Sequence, residues 1–132
     1  LTEQDQLRLA GVHPDLIAKV NKVLSAMHAL GFPMAVTDGV RTQQQQQKLY
    51  ARGRTEPGPI VTYADGVMKK SNHQVKGDGL GRAVDCAFVV GGTFSWDARL
   101  PWKAYGACVE ALGLRWGGSF TTLHDLPHME MV

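Results

Sequence analysis

The sequence predicts a small domain of mixed helix and strand, and three observations predict it. Apolar residues recur at helical spacing over residues 14–30 and again over 101–112, a continuous apolar run at 83–90 reads as a buried strand, and Gly or Pro marks most of the boundaries. At 132 residues the chain is expected to fold as one domain, 1–132, and to act as a monomer; 44% hydrophobic content suffices for a core without disulfide or metal support. Charged residues make up 20% of the chain and the net charge is +2, with no basic run longer than Lys69-Lys70, so no nucleic-acid partner is expected. No apolar run nears the ~18 residues of a membrane span, so no membrane partner is expected either. Cys86 and Cys108 lack Cys-x-x-Cys spacing and lie in apolar surroundings, as small core residues do.

Residues 1–12 read as a lead-in of one or two helical turns. Pro14 then opens a helix whose Leu16, Ile17, Val20, Val23, Leu24, Met27 and Leu30 share one face, and Gly31 ends it. His13 and His28 have no Cys, Asp or His at ligand spacing that would set them apart, and are read as surface or packing residues. Residues 32–37 suggest a short strand broken by Asp38-Gly39. Thr42 is an N-cap for a second helix running through Gln43–Gln47 to Tyr50 and stopping at Gly53. Residues 54–70 are rich in Gly and Pro, with a brief strand expected at 60–63, and a loop this long commonly walls a binding cleft. After the strand at 83–90, Gly91-Gly92 marks a turn. Pro101 starts a helix that Gly113 stops, 114–116 form a strand, Gly117-Gly118 a turn, and 128–131 a last strand. Trp102 and Trp116 are expected in the core.

Chemistry concentrates in two stretches, Ser71 to Asp85 and His124 to Glu130. Asp85 interrupts an apolar strand, where an ionised carboxylate is costly unless paired or bound to metal. Along a strand alternate side chains share a face, so His128 and Glu130 project together while Met129 and Met131 point into the core. His73, Asp85 and His128 can therefore converge as two imidazoles and a carboxylate, a ligand set for a catalytic zinc that keeps one position open. Asp125 is placed to take a proton from water and deliver it to a leaving amine, and Arg41 to donate to an oxyanion. Glu130 is read as an anchor for a ligand histidine and His124 as a residue of the rim.

The Ser71-x-His73 start, the Gly81-x-Ala83-x-Asp85 end and the Asp125-x-x-His128-x-Glu130 close resemble the zinc-dependent peptidoglycan peptidases of the D-Ala-D-Ala carboxypeptidase and VanY group. Gly11-Val12-His13-Pro14-Asp15-Leu16, Thr37-Asp38-Gly39-Val40-Arg41-Thr42, Gln46 and Leu49-Tyr50 look most like the L-alanyl-D-glutamate endopeptidase branch, which includes phage endolysins. The resemblance implies an α+β fold, a central antiparallel sheet with helices packed on one side, as in the Hedgehog signalling domain. It implies Zn2+ on His73, Asp85 and His128, Asp125 as the base, Arg41 as the transition-state contact, Ser71 and Gln46 near the substrate, and a peptidoglycan stem peptide as the partner. The expected place of action is the cell wall. The absence of an opening signal peptide would suit a phage lysin released through a holin. Against the family's usual His-x-x-Gly spacing, five extra residues separate His73 from Gly81, and loop closure costs little enough to accommodate them.

Within the peptidase reading a D-Ala-D-Ala carboxypeptidase or dipeptidase is the alternative, since both cuts present a peptide carbonyl to the same metal site, and two other classes are consistent with parts of the sequence. A zinc-stabilised binding module would need the three ligands but not Asp125. A metal-free basic domain binding wall polymer or nucleic acid would show salt-dependent affinity, and the scattered charge supports it least.

Overall fold

The computed structural model describes residues 1–132. The lead-in forms helix α1 (Glu3–Arg8), started by a capping box in which Thr2 and Asp5 satisfy each other's backbone amides. Buried Asp5 also ties the lead-in to the sheet, its Oδ1 accepting from the Val36 amide at 2.8 Å. Helix α2 (Pro14–Ala29) buries Leu16, Val20, Val23, Leu24 and Met27, the predicted stripe. Its N-cap is His13, whose Nδ1 accepts from the Asp15 amide, so this histidine terminates a helix.

Strand β1 (Met34–Asp38) starts and ends slightly later than the sequence suggests. Helix α3 (Gln43–Ala51) has the predicted Thr42 cap, completed into a box by Gln45. Strand β2 (Ala83–Val90) matches the predicted range, and residues 91–92 turn it into a short partner, β3 (Thr93–Ser95), too brief to show a period in sequence. Helix α4 (Trp102–Ala111), strand β4 (Arg115–Trp116), a 3-10 turn (Gly117–Ser119) and strand β5 (His128–Glu130) complete the chain. The strand expected at residues 60–63 does not form; Thr62 instead ties that segment to α3 through Gln46, leaving its backbone outside the sheet.

All pairings in the sheet are antiparallel, in the order β1-β2-β5-β4, with β3 beside the distal half of β2. On one face Val84, Cys86, Phe88 and Met129 meet α2 and α4, whose Trp102, Tyr105 and Val109 complete the core. Burying these side chains contributes on the order of 1.5–3 kcal/mol for each large residue. Trp116 packs at the edge of this core, and Cys108 is only half-buried. The opposite face carries Asp85 and His128. Register sets Asp38, Asp85 and His128 side by side across three strands, with an irregularity between Val36 and Asp38 where β1 leaves the ladder.

Candidate metal centre

Three polar side chains meet on the face of the sheet turned away from α2 and α4. His73 Nε2, Asp85 Oδ1 and His128 Nδ1 form a triangle with edges of 3.3 Å (His73 to Asp85), 3.1 Å (Asp85 to His128) and 3.1 Å (His73 to His128). A tetrahedral zinc with ligands at ~2.0–2.1 Å requires neighbouring ligand atoms about 3.3 Å apart, so the triangle has the dimensions of one face of that tetrahedron.

The outer nitrogens fix which atoms face inward. His73 Nδ1 lies 2.8 Å from the Gly39 carbonyl and His128 Nε2 lies 2.7 Å from Glu130 Oε1. Both partners only accept, so these nitrogens carry the protons and the inner pair present lone pairs. Two lone pairs and a carboxylate aimed at one point repel unless a cation or proton sits among them. Without metal a proton serves: burial disfavours the charged ring, but hydrogen bonds to Asp85 and Glu130 outweigh it and raise His128 to about 10. Burial likewise works against the Asp85 carboxylate, and the two imidazoles overcome it, holding it well below the usual carboxylate range.

The supporting contacts explain the local fold. Gly39 must lack a side chain, because a Cβ there would lie 2.2 Å from the Arg8 carbonyl oxygen, and it is the Gly39 carbonyl that orients His73. The Arg41 amide donates to the His73 carbonyl at 2.7 Å, joining the β1–α3 connection to the ligand segment. Glu130 is held from behind by Asn72 Nδ2 at 2.7 Å and Arg115 at 3.7 Å. The turn before His128 is clamped from the core side: Tyr105 Oη donates to the Pro127 carbonyl and Trp116 Nε1 to the Leu126 carbonyl. Gly117 packs so closely on this turn that a Cβ would lie 2.1 Å from the Asp125 carbonyl oxygen. Leu123 just ahead of it has φ of 39°, a left-handed backbone unusual for a branched side chain.

Asp125 Oδ2 lies 3.8 Å from His128 Nδ1, beside the triangle but outside it. Burial and the neighbouring Asp85 charge raise its carboxyl above the usual range despite His128, His73 and Arg41. Arg41 reaches the site with its guanidinium held by Asp38 at 2.9 Å and Gln46 Oε1 at 2.7 Å, and 3.9 Å from Asp85.

The centre opens into a cleft of about 630 Å³ lined by residues 60–64 and 69–73, by Phe120 and residues 122–125, and by Arg41 and Leu49. Ser71 lines it, with its hydroxyl accepting from the His73 amide at 3.2 Å, and His124 stands exposed on the rim. Gln46 corrects the expectation of a substrate contact: it is wholly buried and does not line the cleft, and its amide bridges Arg41 to Ala64 and Thr62. The loop made by the five extra residues also stays out of the cleft, since residues 74–80 contribute nothing to its lining. Sequence reasoning missed Gly39, Asn72 and Gly117. Only the glycines gave a signal, as punctuation marks whose close packing no pattern discloses.

The chain is similar to known proteins in sequence and in fold. Residues 65–131 match the M15 peptidase family described as D-alanyl-D-alanine carboxypeptidase. The chain is 30% identical to the Bacillus subtilis (strain 168) peptidoglycan L-alanyl-D-glutamate endopeptidase CwlK, covering 98% of this chain and 78% of that protein. Among solved structures, it is similar to the Serratia marcescens L-Ala D-Glu endopeptidase ChiX, with TM-score 0.68, 25% identity and coverage of 100% of this chain and 89% of that one. The fold is also that of a zinc-bound vancomycin-resistance D,D-pentapeptidase VanY, at TM-score 0.62 and 17% identity, covering 92% of this chain and 72% of the other.

Proposed function

The chain belongs to the M15 peptidase family, and from that premise we propose that it is a zinc-dependent endopeptidase cutting the L-alanyl-D-glutamate bond of the peptidoglycan stem. The observation that carries the reading is the triangle of His73, Asp85 and His128 with Asp125 at its open side. The donor set fits zinc in number, type and spacing, with His73 Nε2, Asp85 Oδ1 and His128 Nδ1 as the holding atoms. Bound there, zinc would supply Lewis-acid chemistry, polarising the scissile carbonyl and making water acidic enough to react near neutral pH.

The chain's own residues do the rest. Asp125 accepts the proton of the attacking water and returns it to the leaving amine. Arg41, fixed by Asp38 and Gln46, presents its guanidinium to the oxygen on which negative charge develops, while Asn72 and Arg115 hold Glu130 against His128. Ser71 shapes the floor through its bond to the His73 amide. The likeness to CwlK and ChiX supports the choice of bond, and supports the cell wall as the place of action. Nothing in this scheme calls for more than one copy of the chain. A purely binding role for the metal would leave Asp125 without a purpose.

The test is digestion of purified sacculi by zinc-loaded protein, followed by mass spectrometry of the fragments. Stem peptides beginning with D-glutamate are expected. Release of terminal D-alanine alone would move the enzyme to the carboxypeptidases, and intact stems would refute peptidase activity.

A further inference from the structure

We propose that Lys69 and Lys70 form a subsite for a free carboxylate carried by the residue whose nitrogen leaves, so that the enzyme selects an acidic over an amidated glutamyl residue. This inference deepens the function proposed above and rests on it. A glutamyl residue whose chain continues through one of its two carboxyl groups keeps the other free, on the same residue that supplies the scissile nitrogen. Such a substrate brings a negative charge into the cleft, and the cleft has cations waiting for one.

The charges on the cleft walls are Arg41, Lys69 and Lys70 against Asp125 and Glu130. Arg41 is already engaged by Asp38 and Asp85, and Glu130 by His128 and Arg115. Neither lysine is paired with a carboxylate, and both are exposed on the cleft wall. The lining also includes Phe120, Thr122, Leu123 and His124, none of them acidic.

The lysines are also held in place. The Asp65 carboxylate accepts from the Val67 and Lys69 amides, both at 2.9 Å, and the Lys69 carbonyl accepts from the Gly66 amide at 3.1 Å, closing a turn that presents the pair. Buried Gln74 clamps both ends of this segment, accepting from the Ser71 amide and donating to the Gly66 carbonyl. From Lys70 only three residues lead to His73, a span of at most ~10 Å, so the ammonium groups lie within reach of a residue adjoining the metal. A compact, flexible ammonium suits a carboxylate that need not be gripped bidentately.

The same chemistry could come from the C-terminal carboxylate of a D-Ala-D-Ala stem, so the experiment uses two pairs of peptides. One pair contains the L-Ala-D-Glu bond with the free glutamyl carboxylate either acidic or amidated; the other ends in D-Ala-D-Ala as acid or amide. Turnover by zinc-loaded wild type and K69Q/K70Q is measured, and affinity is measured by calorimetry on the slow D125N background with and without K69Q/K70Q. Wild type is expected to favour the acidic glutamyl peptide by roughly tenfold in kcat/KM, as two exposed ion pairs allow, with the preference falling at high salt and disappearing in K69Q/K70Q. Equal binding of acid and amide on D125N, or a preference that survives K69Q/K70Q, overturns the subsite. A lysine-dependent preference confined to the D-Ala-D-Ala pair overturns the glutamyl assignment. Failure of wild type to cleave either glutamyl peptide refutes the proposed function, while lysine-dependent binding of the acidic glutamyl form would still uphold the subsite.

Discussion

The Glu130 carboxylate lies 2.7 Å from His128 Nε2, while the other nitrogen of the same ring faces Asp85 at 3.1 Å. Strand geometry creates this relationship, since residues two apart share a face and buried Glu130 can reach the back of the ring that precedes it. Glu130→Gln is expected to weaken zinc affinity by roughly 10–100-fold, because the amide holds the ring and its tautomer less firmly. Competition with a chromogenic chelator measures it; unchanged affinity would show that Glu130 does not support the ligand.

Asp125→Asn should separate metal binding from turnover. The side chain stands outside the ligand triangle, 3.8 Å from His128 Nδ1, so zinc content and thermal stability should stay close to wild type while kcat falls by about 10²–10⁴-fold. Elemental analysis alongside muropeptide kinetics checks both halves.

Stability should depend on pH in opposite senses with and without zinc. In the metal-free protein His128 is raised from 6.5 to about 10, against the effect of burial, by its bonds to Asp85 and Glu130. A raised histidine contributes stability that is fully present below ~6.5 and is lost as pH climbs through about 10. Metal-free protein should therefore lose melting temperature across that window, whereas the stabilisation added by zinc should grow as proton competition fades. Thermal melts with and without chelator, from pH 6 to 10, provide the comparison.

Gln46→Ala should impair turnover without touching the ligands. It removes the 2.7 Å acceptor of Arg41 and leaves the Ala64 carbonyl without its donor inside the protein. A destabilisation of about 1–3 kcal/mol is expected, with a larger effect on kcat than on zinc affinity. Gln46→Glu, which keeps an acceptor for Arg41, should recover part of the kcat loss; equal loss in both variants would reduce Gln46 to a packing role.

Much of the site was legible because its chemistry conflicts with its surroundings. Asp85 inside an apolar strand, and His128 alternating with core-facing Met129, carry signals that need no coordinates. The helices were equally readable: Leu16 to Met27 keep one buried face, and Thr42 declares its helix by capping it. What stayed hidden depends on backbone approach and not on side-chain type. The Gly39 carbonyl that sets the His73 tautomer has no sequence signature, and the five-glutamine tract conceals that Gln46 alone turns inward. Residues 60–63 have strand-forming side chains, but Gln46 bonds to Thr62 and Ala64 and holds the segment on α3, away from any sheet edge. Strand β3 has three residues, too few for any periodicity to show.

The most direct test of the metal centre is anomalous diffraction at the zinc edge from crystals of zinc-loaded protein. One zinc is expected within ~2.0–2.1 Å of His73 Nε2, Asp85 Oδ1 and His128 Nδ1, with its remaining position facing Asp125 and the cleft. A zinc bound elsewhere, or no anomalous peak among these three side chains, would contradict it.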